Sequence, residues 1–334
     1  MEVTCDMPED VVLLHKALST IHNSPVGAPS TLNLDNAGTA FRFLTAYCAQ
    51  LPGCEVVLDG CKRMYHRPIG PLVDALRSFG AKIDYLGEDG FPPLHINGIT
   101  LHNNPQGTPF IILSPVSSQF ASALELVGIP CDAPASPYIT MTREIVKHYP
   151  LSTTDGTAHR PYLEKDWSGA AFWYEYVAIH GGEIEMPGLN KDSLQGDKIV
   201  ADIFELLGVS TLYIGAGARV INNRHSTPKP QTVNINFSAC PDLYPAVAMT
   251  CKVLGYKLQA TGLENLRYKE SDRLASVEAM VNTPKGQIVI TEHDHRIAMA
   301  AMVAGYRVDD EDCVRKSYPD FKNELCKLLS HAEA

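Results

Sequence analysis

With 334 residues, 45% of them hydrophobic and 20% charged, the chain has the composition of a globular protein with a sizeable core, which excludes a disordered, collagen-like or coiled-coil polymer. Its formal net charge of -10 argues against a nucleic-acid partner or an anionic membrane surface. No run approaches the roughly 18 uncharged apolar residues of a membrane span, and the start, MEVTCDMPEDVVLLHKAL, lacks a basic, signal-like profile, so the expected location is cytoplasmic.

The length exceeds what one ordinary core holds, so two domains are expected, 1–162 and 163–334, with the junction in HRPYLEKDW at 159–167. The nine cysteines form no CxxC pair and no zinc spacing, which suits reduced thiols better than a disulfide framework.

Along the chain one local shape recurs: a small polar cluster able to cap a helix, then an apolar helical stretch, often ending near glycine. The first is DNAGTAFRFLTAYCAQL from Asp35, where Ala40, Leu44, Tyr47, Cys48 and Leu51 share a face and the polar residues 36–39 sit at the N-terminus. RPIGPLVDALRSFGAKIDYL from Arg67 then reads as a helix running into a short strand. A loop is expected at 103–109, and helices at PVSSQFASALELVGI from Pro115 and DWSGAAFWYEYVAIHGG from Asp166. SLQGDKIVADIFELLGVSTLYI from Ser193 repeats the helix-to-strand pattern, and Gly215-Ala216-Gly217, between STLYI and ARVIN, reads as a hairpin turn rather than a dinucleotide loop. After a second loop at 223–230, helices are expected in CPDLYPAVAMTCKVLG from Cys240, KESDRLASVEAM from Lys269 and DHRIAMAAMVAG from Asp294.

Strand and helix therefore alternate in units of a few dozen residues, the pattern of an α/β protein assembled from similar subunits. Each helix N-terminus carries unpaired N–H groups and about half a positive charge, so several aimed at one cleft would bind anions. No Walker A, HExxH or GxSxG sequence occurs. Glu292-His293-Asp294-His295 resembles a ligand cluster, but helix capping by Asp294 is the better reading, and no metal is called for. The densest charged stretch is Asn265 to Arg273. Glu270 and Arg273 stand three apart, so on a helix they would share a face, where the arginine holds an anion while the glutamate exchanges a proton; a solvated ion pair is the competing reading. His295, Arg296 and Lys316 supply further cations.

Six segments in order, DNAGTAFRFLTA from Asp35, RMYHRPIGPLVDALRSFGA from Arg63, SSQF from Ser117, GLENLRYKESDRLA from Gly262, DHRIAMA from Asp294 and KSYPDF from Lys316, resemble the 3-phosphoshikimate 1-carboxyvinyltransferase (EPSP synthase) family. KESDR with RPIG and SSQ resembles it more closely than the related family acting on UDP-N-acetylglucosamine, which remains an alternative. The resemblance implies a two-domain inside-out α/β barrel, each domain built from repeated βαβαββ units, with helix N-termini converging on an interdomain cleft. It implies that the 5-hydroxyl of shikimate 3-phosphate adds to C2 of phosphoenolpyruvate, C3 is protonated, and the intermediate then loses phosphate. It also implies that no metal or organic cofactor is needed; the expected partners are the two small-molecule substrates, with no nucleic acid and no membrane, and a monomer is expected.

Carried onto this sequence, the resemblance gives Arg67, Arg273, Arg296 and Lys316 to the carboxylate and phosphate of phosphoenolpyruvate, with Asn36, Gly38 and Gln119 lining the pocket. Ser117 and Ser118 would cradle the phosphate of shikimate 3-phosphate, with Gln119 and Ser136 also binding that substrate, Asp242 would hold and deprotonate its hydroxyl, and Asn265 and Lys269 would add contacts. Glu270 would deliver and later remove the proton at C3, while His295 and Lys316 support the developing charge and departing phosphate. The first domain is the phosphoshikimate side, the second the phosphoenolpyruvate and catalytic side.

The sequence departs from the family in three places. Nothing like the family's N-terminal Lys-Ser segment precedes Asp35, so the first domain reads as incomplete. Ser136-Pro137-Tyr138 stands where the family has Ser-Lys-Pro-Tyr, and VNTPKGQIVIT replaces a longer stretch after KESDRLASVEAM. Two readings of these departures stand: a shortened frame of an ordinary enzyme, or a short, impaired paralogue that binds anionic metabolites.

Overall fold

A computed structural model describes residues 7–25, 28–101, 111–112, 117–133, 135–148, 164–223 and 232–332. The expected loop at 103–109, all but Asn223 of the expected loop at 223–230, and the greater part of the 159–167 junction lie outside them. The chain divides into two compact units: residues 1–159 with Tyr268–Glu270, and residues 160–267 with 271–334.

Unit 1 contains α1 (Glu9–Asn23), β1 (Ser30–Asn33), α2 (Gly38–Gln50), β2 (Glu55–Asp59), α3 (Gly70–Ser78), β3 (Lys82–Tyr85), β4 (Leu94–Asn97), β5 (Ile111–Ile112), α4 (Ser118–Leu126), β6 (Cys131–Asp132) and α5 (Pro137–His148). One sheet has the order β1-β2-β4-β3, with β1 parallel to β2 and β4 antiparallel to both its neighbours. From β1 to β4 the chain thus completes one βαβαββ repeat. A parallel pair needs a crossover, and α2 supplies it between β1 and β2. Of the expected face of α2, Ala40, Leu44 and Cys48 are buried and Tyr47 and Leu51 half-buried, while Phe41, Thr45, Ala46 and Ala49 are buried too, because α1, α3 and α4 pack around the helix as well as the sheet. Phe41, Leu44, Leu58, Leu76, Ile96 and Phe120 form the centre of this core. Each such side chain contributes about 1.5–3 kcal/mol on burial.

Unit 2 contains α6 (Trp167–His180), β7 (Glu183–Pro187), α7 (Val200–Glu205), β8 (Val209–Ile214), β9 (Gly217–Asn222), β10 (Thr232–Asn236), α8 (Tyr244–Leu254), β11 (Lys257–Thr261), α9 (Arg273–Asn282), β12 (Ile288–Val289), α10 (His295–Val303), β13 (Arg307–Val308) and α11 (Phe321–Ala332). β8 and β9 close a two-residue hairpin with Ile214 opposite Gly217, and Gly215 takes φ +56°, the left-handed conformation such a turn requires. β10 pairs with β11 across α8, and β12 with β13 across α10, both in parallel. No helix among the described residues is long and apolar enough to cross a membrane.

The segment from Lys269 corrects one expectation. Asp272 leaves helical geometry (φ -70°, ψ 81°) and its side chain accepts from Ala275 N, so α9 begins only at Arg273. Glu270 precedes this cap and is grouped with unit 1, whereas Arg273 belongs to unit 2. The two residues therefore share no helix face: a spacing of three has meaning only inside a continuous helix, and the aspartate breaks it.

Helix α6 runs through the middle of the second core, with Trp167, Phe172, Tyr174 and Val177 all fully buried. Asp166 starts it by accepting from Ser168 N and Gly169 N at 2.9 and 3.0 Å. Among these apolar neighbours lies Glu175, wholly buried, neither oxygen of which has a hydrogen-bond partner among the described residues. Burial pushes its pKa well above the usual carboxylate value. A carboxyl with a raised folded pKa carries no pH-linked cost below its unfolded pKa of about 4.3; above that, stability falls as pH rises until the folded group itself ionises. Glu175→Met, similar in shape, should therefore stabilise unit 2 by roughly 1–3 kcal/mol at pH 7 and by little near pH 4. Urea midpoints measured across that range would show a gain that grows with pH.

Candidate active site

In unit 1 the polar residues ahead of α2 meet the loop between β2 and α3. Arg67 Nη1 donates to Asn36 O at 2.8 Å and to Asn36 Oδ1 at 2.9 Å, and Arg67 Nε donates to Tyr268 O at 3.1 Å. Asn36 Nδ2 donates to Glu270 O at 3.3 Å, and Arg63 donates through Nε and Nη2 to Lys269 O, both at 3.2 Å. The buried Arg42 donates to Gly38 O at 2.9 Å and Pro68 O at 3.1 Å, with its guanidinium over the Phe120 ring. Burial, and then the neighbouring Arg67, hold the Arg42 pKa well below its ordinary value.

Gly38 is required here for space: a Cβ would fall on Arg67 Nη2 and lie 2.8 Å from Arg42 Nη1. Ser117 caps α4, its Oγ accepting from Gln119 N at 3.2 Å, while Ser118 is the first helical residue. Gln119 Nε2 donates to Thr39 Oγ1 at 2.8 Å, which ties the start of α4 to the start of α2. Ser136 sits just before α5, where its carbonyl accepts from Thr140 N. Hydrogen bonds therefore join Asn36, Arg63 and Arg67 to the backbone of residues 268–270, Gly38 lies against the Arg67 guanidinium, and Gln119 is tied to the start of α2.

In unit 2, Asp242 lies in the 3-10 turn Pro241–Leu243 that leads into α8. Its Oδ1 accepts from Arg273 Nη1 at 2.6 Å, and its Oδ2 pairs with Arg296 Nη2 at 3.4 Å. Arg273, 1% exposed, also donates to Asp294 through Nε at 2.8 Å and Nη2 at 3.1 Å. Asp294 caps α10, accepting from Arg296 N at 3.0 Å, and accepts from Ser271 Oγ at 3.0 Å. That carboxylate is occupied by a helix start and a guanidinium, and among the described residues no three His, Cys, Asp or Glu side chains converge as metal ligands. His293 instead pairs with Asp310, on an exposed turn. His295 and Lys316 are buried, and Asn265 lies half-buried in the 3-10 turn Glu264–Tyr268.

Sequence reasoning missed Arg42, Arg63 and Asp197. Arg63 stands four residues before Arg67 in RMYHRPIG, and Asp197 in SLQGDKIV, but nothing in one sequence distinguishes these residues from surface charges.

The chain matches the profile of the family described as EPSP synthase (3-phosphoshikimate 1-carboxyvinyltransferase) over residues 9–283 and 276–325. It is 33% identical to the 3-phosphoshikimate 1-carboxyvinyltransferase of Bacteroides fragilis strain YCH46, over 87% of this chain and 81% of that one. It is 31% identical to the enzyme of the same name from Methanospirillum hungatei JF-1, over 90% of this chain and 80% of that one. Among solved structures it is similar in fold to an EPSP synthase from Acinetobacter baumannii, with a TM-score of 0.61 at 22% identity, over 90% of this chain and 78% of that one.

Asp197, 2% exposed, accepts from Ser168 Oγ at 2.5 Å. Burial, and next the charge of Asp242, push its pKa up to about 6. Because the folded value is raised, Asp197 costs stability above its unfolded pKa of about 4, and the loss accumulates as pH climbs toward 6. Asp197→Asn keeps an acceptor for Ser168 and removes the charge. It should gain roughly 1–3 kcal/mol relative to wild type between pH 4 and 7; a pH-independent difference in thermal midpoints would contradict this.

Proposed function

Because the chain belongs to the EPSP synthase (3-phosphoshikimate 1-carboxyvinyltransferase) family, we propose that it transfers the enolpyruvyl group of phosphoenolpyruvate to the 5-hydroxyl of shikimate 3-phosphate, releasing phosphate. The observation that carries this reading is the Asp242 carboxylate held by two arginines, one on each oxygen. A carboxylate fixed this way at a helix start is oriented before substrate arrives.

In this reading Asp242 accepts the hydroxyl proton as oxygen bonds to C2, and Glu270 protonates C3. Glu270 then removes a proton from C3 as phosphate leaves, and the proton held by Asp242 goes to the departing phosphate, so both carboxylates end as they began. Arg67, Arg273, Arg296 and Lys316 receive the anionic groups of phosphoenolpyruvate, with Asn36, Gly38 and Gln119 around them. Ser117, Ser118 and Gln119 at the start of α4 take the phosphate of shikimate 3-phosphate, the anion a helix N-terminus suits, with Ser136, Asn265 and Lys269 beside it. His295 and Lys316 support the departing phosphate. Residues 1–162 form the phosphoshikimate side and 163–334 the phosphoenolpyruvate side, in a cytoplasmic, monomeric enzyme. The names of the relatives favour this reading over a UDP-N-acetylglucosamine enolpyruvyl transferase.

Purified protein supplied with both substrates should release phosphate, and Glu270→Gln should lower kcat by about 100-fold or more. Release no faster than a blank reaction would sink the proposal. Gly38→Ala, which drives a methyl group into the Arg67 guanidinium, should raise KM for phosphoenolpyruvate by about tenfold or more while leaving shikimate 3-phosphate binding within about threefold.

A further inference from the structure

Residues Tyr268, Lys269 and Glu270 lie between the 3-10 turn that ends at Tyr268 and the cap of α9, and Lys269 and Glu270 belong to no helix or strand. Their three consecutive backbone carbonyls are nonetheless all taken by side chains of unit 1. Arg67 Nε donates to Tyr268 O, Arg63 Nε and Nη2 both donate to Lys269 O, and Asn36 Nδ2 donates to Glu270 O.

The arrangement is interlocked. Arg67 Nη1 donates to Asn36 Oδ1, which fixes the amide orientation and turns its Nδ2 toward Glu270 O. The Arg63 fork brings two N–H groups to a single oxygen, a geometry that only a planar guanidinium provides. Charge-assisted bonds are about twice as strong as neutral ones. What sets this place apart is that such bonds, with that of the Asn36 amide, fall on three consecutive carbonyls, two of them in residues with no helix or strand to hold them.

What this loop carries is the Glu270 side chain. We propose that Arg63 is a positioning residue: by gripping the Lys269 carbonyl, as Arg67 and Asn36 grip the carbonyls on either side, it fixes where the Glu270 carboxyl points. The catalytic part of this proposal rests on the reading of Glu270 as the proton carrier. The structural part, that Arg63 immobilises residues 268–270, does not.

The test compares wild type with Arg63→Met and Arg63→Lys, using Arg77→Met as a control. Arg77 makes the same kind of fork, Nε and Nη2 onto Ile83 O at 3.0 and 2.5 Å, elsewhere in unit 1. Backbone hydrogen exchange over 264–273 should quicken about tenfold in Arg63→Met, less in Arg63→Lys, and not at all in Arg77→Met. With both substrates, kcat should fall about 10- to 100-fold in Arg63→Met, with both KM values within about threefold and partial recovery in Arg63→Lys. Unchanged exchange over 264–273 in Arg63→Met overturns the proposal, as does an unchanged kcat or an equal loss of kcat in Arg77→Met. A wild-type protein that releases no phosphate, but whose residues 268–270 loosen in Arg63→Met, would overturn the catalytic part through the function reading and leave the grip on the loop standing.

Discussion

A guanidinium group cannot give up its proton in the interior, so a fully buried arginine obliges the fold to surround it with acceptors. Arg273 is that residue in unit 2. It opens α9, where the helix dipole disfavours a cation, and its charge is answered by Asp242 at the entrance to α8 and Asp294 at the cap of α10. The starts of three helices are thereby tied to one side chain. Removing either carboxylate would leave a buried charge only partly matched, the situation that costs several kcal/mol.

In unit 1 three arginines meet main-chain acceptors instead. There Arg42, Arg63 and Arg67 donate to backbone carbonyls at Gly38, Pro68, Lys269, Tyr268 and Asn36. A carbonyl orients a guanidinium without cancelling its charge, whereas a carboxylate does both. In a chain with a net charge of -10, the electrostatics of any one place are still set locally. Bulk charge describes the surface average; the local field depends on which acceptors the buried cations are given.

Some of this was legible in the sequence. Asp294 before an apolar helix signals a cap, Gly215 between two alternating runs signals a tight hairpin, and the stretch after Arg67 signals a helix running into a strand. Each of these depends on neighbours within a few residues. The pairing expected of Glu270 and Arg273 failed for a local reason as well, since an aspartate between them begins the helix later than their spacing assumed. Arg63 and Asp197 were illegible for another reason. Their roles come from partners 206 and 29 residues away, Lys269 O and Ser168 Oγ, and no periodicity records contacts of that kind. Glu175 resisted reading because α6 is apolar on every side, and a single glutamate in such a run looks like the wet edge of an amphipathic helix.

Asp294 receives four hydrogen bonds, from Arg273 Nε and Nη2, Ser271 Oγ and Arg296 N. That matches the acceptor capacity of a carboxylate, about four lone pairs on two oxygens. An amide of the same shape has one oxygen and presents two N–H groups in place of the other. At this position those N–H groups would face an arginine and a helix amide, donor against donor. The usual isosteric exchange of Asp for Asn, conservative in volume, would here reverse half the polarity of the junction, so tolerance to substitution is governed by the direction of the hydrogen bonds and not by size.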